Sequence, residues 1–145
     1  MLKLVINLLF LLLIIVTPPA LAQNSAITGQ WQTIDDETSK PKSIVEIYEQ
    51  AGKVYGKIVQ LFRKPEEDPD PVCHKCTDYR KNQKVIGMVI LEQLEPKGKE
   101  WSGGKILDPA NGKIYDCKIW LEDGQLKVRG YLGLFFRTQT WQRVK

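Results

Sequence analysis

The sequence predicts an all-β protein: an eight-stranded antiparallel up-and-down β-barrel with one long Pro-rich loop between strands three and four. Three observations predict it. Beyond residue 23 no strong helical period appears, whereas short runs rich in Val, Ile, Tyr and Trp recur. Most of these runs are separated by short turns, too short for the crossover that parallel neighbours need. Eight such strands in succession lose both exposed edges by closing on themselves. An open sandwich of two sheets is the alternative.

The strands read in order as follows. Gln30 to Ile34 is the first. Ser43 to Glu49 and Lys53 to Leu61 flank the tight turn Gln50-Ala51-Gly52 and form the clearest hairpin. Val85 to Leu91 is read as the fourth strand and Glu100 to Asp108 as the fifth, with Gly103-Gly104 permitting a bend or bulge. Pro109-Ala110-Asn111-Gly112 has turn composition and leads into the sixth, Lys113 to Leu121. Glu122-Asp123-Gly124 turns the chain into the seventh, Gln125 to Tyr131, and Leu134 to Val144 is the eighth. The long connection, Phe62 to Lys84, contains Pro65, Pro69, Pro71 and two cysteines, and a loop of that length in a compact domain is a candidate functional element or cap.

The front of the chain carries a different signal. Lys3 supplies a positive n-region, Leu4 to Val16 is apolar except for Asn7, and Pro18-Pro19 precede Ala20-Leu21-Ala22. That is the pattern of a secretory signal peptide over residues 1–22, cleaved after Ala22, and the apolar run is too short for a spanning helix. Residues 23–145 then form a single domain, with a bacterial periplasm as the expected location and no transmembrane segment after cleavage. A net charge of +4 over 145 residues is too weak to indicate nucleic acid, and a single His excludes a histidine-rich metal cage.

Alternation assigns faces. Tyr115, Cys117, Ile119 and Leu121 share one side of the sixth strand, and Leu126 and Val128 oppose Lys127 and Arg129 on the seventh. The fourth strand is apolar on both sides, so the long loop, or a second copy of the chain in a homodimer, should cover the outer face around Val85, Val89 and Leu91. Tyr48, Tyr55, Trp101 and Tyr115 are the candidate ligand-binding residues, being aromatic bodies with polar tips.

Cys73-His74-Lys75-Cys76 lies in the long loop and Cys117 on an inward face. Three cysteines allow three single bridges. A structural bridge tying down the loop is favoured over a metal site, for which adjacent Cys73 and His74 are poorly placed, and over a redox motif, which lacks a strand-to-helix unit. Asp35-Asp36-Glu37 reads as a solvated turn rather than a carboxylate pair for acid–base work. Arg129 and Arg137 serve equally as anion ligands or surface charges. With no Gly-x-Ser-x-Gly and one loop histidine, no catalytic residues, metal or cofactor are assigned.

Gly29-Gln30-Trp31 at the first strand and Trp141-Gln142-Arg143 at the last resemble the calycin pattern of lipocalin-like barrels. The resemblance implies barrel closure by Gly29, Trp31 and Arg143, with the arginine across the tryptophan ring. A wider match runs through Ser43-Ile44-Val45-Glu46-Ile47-Tyr48, Trp101-Ser102-Gly103-Gly104-Lys105-Ile106-Leu107-Asp108-Pro109, Asn111-Gly112-Lys113-Ile114-Tyr115 and Arg137-Thr138-Gln139-Thr140-Trp141-Gln142-Arg143-Val144. In order and spacing it resembles the bacterial domain-of-unknown-function 2147 family, which implies an exported lipocalin-like barrel and does not imply any particular activity. The expectation is a non-catalytic envelope protein holding a small apolar or amphipathic ligand, such as a lipid fragment. The alternative is an interaction or dimerisation module without one.

Overall fold

The computed structural model describes Ile14 and residues 20–145, with Ala20, Leu21 and Ala22 described as backbone only. Most of the expected signal peptide, residues 1–22, lies outside the described residues. A short helix, α1 (Ala20–Ser25), is followed by β1 (Gly29–Ile34), β2 (Pro41–Gln50), β3 (Lys53–Leu61), β4 (Val89–Lys97), β5 (Glu100–Asp108), β6 (Lys113–Glu122), β7 (Gln125–Leu132) and β8 (Phe135–Arg143). The eight strands form a closed barrel in sequence order. Each pairs antiparallel with the next, and β1 meets β8 through Trp31↔Arg143 and Gln32↔Gln142. Among the described residues no helix is long and apolar enough to cross a membrane.

Alternation along the strands builds the interior. Val45 and Ile47 of β2, Val54 and Ile58 of β3, Cys117 and Ile119 of β6, and Leu126 and Val128 of β7 are all buried. The inward faces expected for β6 and β7 hold as far as Ile119 and Val128. Leu121, the last inward residue expected on β6, is partly exposed at the strand end. A bulge falls between Trp101 and Gly104 of β5, where Gly103 takes φ 77°.

The fourth strand departs from its expected span. It runs over Val89–Lys97 rather than Val85 to Leu91, and residues 85–88 belong to the long connection, which extends over 62–88. Two features obscure it. Gln93 has φ 58°, so the buried residues Leu91 and Leu94 are three apart instead of two. Val85 and Met88 are apolar because the connection tucks against the barrel: Gly87 N donates to Ile58 O and Ile58 N to Met88 O. Of the apolar outer face expected around Val85, Val89 and Leu91, Leu91 instead points into the barrel beside Val45 and Gly56, Val85 is buried within the connection, and Val89 is half-buried.

One end of the barrel is shut. Trp31 is completely buried there, and its indole N–H donates to Ile27 O at 2.8 Å. The Arg143 guanidinium lies 4.2 Å from the Trp31 ring centroid and donates to Thr28 O and Ala26 O. A side chain at Gly29 would meet that guanidinium at 3.3 Å. The three residues that the lipocalin-like resemblance nominates thus lie in contact, combining burial of a large ring with a cation–π contact. Asn24 completes the plug. It is fully buried, accepts from Trp101 Nε1 at 2.8 Å and donates to Glu49 Oε2 at 2.8 Å.

Candidate functional site: a cavity at the open end

The opposite end carries the β1–β2 loop, the long 62–88 connection, the β5–β6 turn and the β7–β8 turn, and a cavity of about 570 Å³ opens among them. Ile58, Ile106, Leu107, Val128 and Trp141 form its apolar wall and floor. Thr33 and Ser43 add hydroxyls that bond to each other at 2.7 Å, so they are already satisfied. Lys42, Arg63, Asp108, Tyr115 and Arg137 line it with charged and polar tips. The arrangement suits an apolar body with a polar end directed to the rim.

The acidic turn after β1 is divided in purpose. Asp35 Oδ1 accepts from the Thr38 amide and hydroxyl and from the Glu37 amide, and these bonds hold its carboxyl below the usual range. Asp36 instead reaches across the mouth to bond Arg137, with Gln139 Nε2 also donating to it at 3.0 Å. Arg137 is thus a neutralised rim residue, whereas Arg129 lies on the outer wall over Trp120 and Phe136.

The long connection forms a lid. Val72 pairs with Lys84 as an isolated bridge, and Pro71, Val72 and Val85 line the cavity. Cys73 and Cys76 are joined by a disulfide and are both buried, so their sulfurs brace the lid. Arg80, only 3% exposed, fastens it: its guanidinium donates to Asp78 and to Val89 O, and lies 3.6 Å from Glu92. That guanidinium holds the Asp78 carboxyl below its ordinary range. Tyr79, largely exposed, donates to Glu92 Oε1 at 2.7 Å; partial desolvation of the phenol and this bond push it up to about 12.

Of the four aromatic candidates, only Tyr115 lines the cavity. Tyr48 and Tyr55 stack on each other at 5.8 Å on the outer wall, with the Lys57 ammonium 5.5 Å from the Tyr48 ring. The opposite face of their hairpin, carrying Val45, Ile47, Val54 and Ile58, points inward. Glu46 and Lys57, on the face of the two tyrosines, were the available sign. Trp101 does point inward, but at the shut end on Asn24. Sequence reasoning missed Trp141 as floor and Asp36 and Gln139 as rim partners of Arg137.

Cys117 is free and buried, paired across to Gly104 and Gly130. Among the described residues no three His, Cys, Asp or Glu side chains gather as metal ligands. Burial pushes the Cys117 thiol up to about 12, against 9 when exposed. Below pH 9 the thiol is neutral in both folded and unfolded chains. Above it only the unfolded chain sheds the proton, so stability should fall by about 1.4 kcal/mol per pH unit until the folded thiol also ionises. Urea titrations of the native chain and Cys117→Ala should diverge on this slope alone, and parallel curves would place the thiol in water.

The known structures agree with this architecture. The chain superposes on one described as "Protein HP1028 from the human pathogen Helicobacter pylori belongs to the lipocalin family", with a TM-score of 0.67 and 22% identity over 81% of this chain and 82% of that one. At that identity the likeness concerns the fold. No curated protein matches the chain. The model of one family matches residues 29–143, from the first residue of β1 to the last of β8, and the chain belongs to that family, described as "Uncharacterized protein conserved in bacteria (DUF2147)".

Proposed function

We propose that this protein is a binding protein of the bacterial cell envelope that holds a small apolar or amphipathic molecule, such as a lipid fragment, in the open end of its barrel. The cavity of about 570 Å³ carries this reading, since it falls within the size of small-molecule sites and joins an apolar floor to a polar rim. Ile106, Val128 and Trp141 would contact the apolar body, and Tyr115 and Lys42 its polar end. The role is one of holding rather than transforming. Export with cleavage after Ala22 is part of the proposal, supported by the leader pattern. Gln23 and Asn24, the residues following that point, are built into the shut end: Gln23 Nε2 donates to Gly98 O at 2.7 Å.

A naphthylamine dye that fluoresces in apolar sites tests the reading, together with native mass spectrometry of the purified chain. The dye should bind and be displaced by fatty acids. Ile106→Trp, which places an indole in the cavity, should weaken binding by about tenfold or more. A protein that is empty on isolation and takes up no dye would end the reading.

A further inference from the structure

The β7–β8 hairpin at the open end exposes large apolar side chains in succession. Leu132, Leu134, Phe135 and Phe136 are 54%, 97%, 82% and 60% exposed. At ~150–250 Å² for a large side chain, the four present roughly 500 Å² of apolar surface, the upper range for a monomer's largest patch. From Tyr131 to Phe136 there is no charge. A turn of this kind ordinarily carries polar residues, because exposed apolar runs promote association.

Its surroundings are aromatic and cationic. The Tyr131 and Phe136 rings lie 5.9 Å apart. The Arg129 guanidinium sits 4.4 Å from the Phe136 centroid and 5.0 Å from that of Trp120, and donates to Thr138 Oγ1. Among the described residues Arg129 makes no ion pair, so its charge stays available beside the tip.

We propose that this tip inserts into an anionic lipid surface and holds the barrel against it mouth-first. The hairpin tip presents less than the ~800 Å² that each partner gives to a standard protein interface. An apolar end backed by tyrosine, tryptophan and arginine has the chemistry of the boundary between acyl chains and headgroups. Leu132 and Phe135 also line the cavity, so the medium that covers the tip meets the cavity entrance. Docking stands on the exposure of the tip and does not require the cavity to be filled.

Flotation of the whole protein tests it, with vesicles of phosphatidylethanolamine and phosphatidylglycerol beside vesicles of phosphatidylcholine. The native chain should float with the anionic vesicles. The exposed double variant Leu134→Asp, Phe135→Asp should stay behind while melting as the native chain does, and Arg129→Gln should bind about fivefold less. A Phe135→Trp reporter should shift its emission to the blue on binding. The proposal is overturned if the native chain floats with neither vesicle, if the aspartate variant floats equally well, or if the reporter does not shift. It is also overturned if sedimentation shows a dimer that those aspartates dissolve, since the tip would then serve a second copy.

Discussion

Asn24→Leu should lower the stability of the barrel by about 3 kcal/mol, although leucine keeps asparagine's branched skeleton and suits a buried site. The amide is fully buried among apolar neighbours of the shut end and all its polar atoms are used. Its oxygen accepts from Trp101 Nε1 at 2.8 Å, and its nitrogen donates to Glu49 Oε2 at 2.8 Å and Gly52 O at 3.4 Å. Glu49 is half-buried and turns to water when deserted, whereas the Trp101 indole, 3% exposed, cannot. An indole N–H left without a partner in the core carries most of the cost, and the melting point should drop by about 10 °C. Thermal and urea unfolding of Asn24→Leu, Trp101→Phe and the double variant separate the contributions. Once Trp101 has no N–H to satisfy, Asn24→Leu should cost about 1 kcal/mol less or better. Equal costs in both backgrounds would mean that the bond holds nothing.

How much of this was legible in the sequence follows from how local the signals are. Seven strands stand within two residues of their expected ends, because alternation and turn residues act over a few positions. β4 was misplaced because the signal there is reversed. Apolar residues 85–88 cap the barrel from the lid, while the true strand carries Glu92, Gln93, Glu95 and Lys97 and loses its alternation at Gln93. The cavity was harder still. Tyr115 followed from the phase of β6, but aromatic character alone put Tyr48 and Tyr55 inside, where the phase of Val45, Ile47, Val54 and Ile58 says the opposite. Asp36 and Arg137 stand 101 residues apart, and only closure of the barrel brings them together. The shut end was legible only through resemblance: Gly29, Trp31 and Arg143 were nominated, and the part of Asn24 was not.

Gly112→Ala should cost about 3 kcal/mol or more, and the loss should begin in the lid. In sequence Gly112 is an ordinary turn residue, and its φ of 74° already disfavours a side chain. The stronger constraint is distant in the chain. A Cβ there would lie 1.9 Å from Lys75 O and 2.3 Å from its carbonyl carbon, backbone atoms inside the disulfide loop of Cys73 and Cys76. A flexible side chain could swing away, but this backbone is fixed. The disulfide spans it, Cys73 N donates to Gln83 O, and Asn82 N donates to Cys73 O. Either the β5–β6 turn or the lid must move, and the turn is held between two paired strands by seven matched positions of β5 and β6. The lid therefore yields. Hydrogen exchange should accelerate first at the amides of Cys73, Asn82 and Val85, before those of β5 and β6, with a melting point lower by about 10 °C. Because Pro71, Val72 and Val85 wall the cavity, the same variant should release a bound dye faster than the native chain. Unchanged exchange in the lid, with loss confined to the turn, would show that the contact at Gly112 does not hold the lid in place.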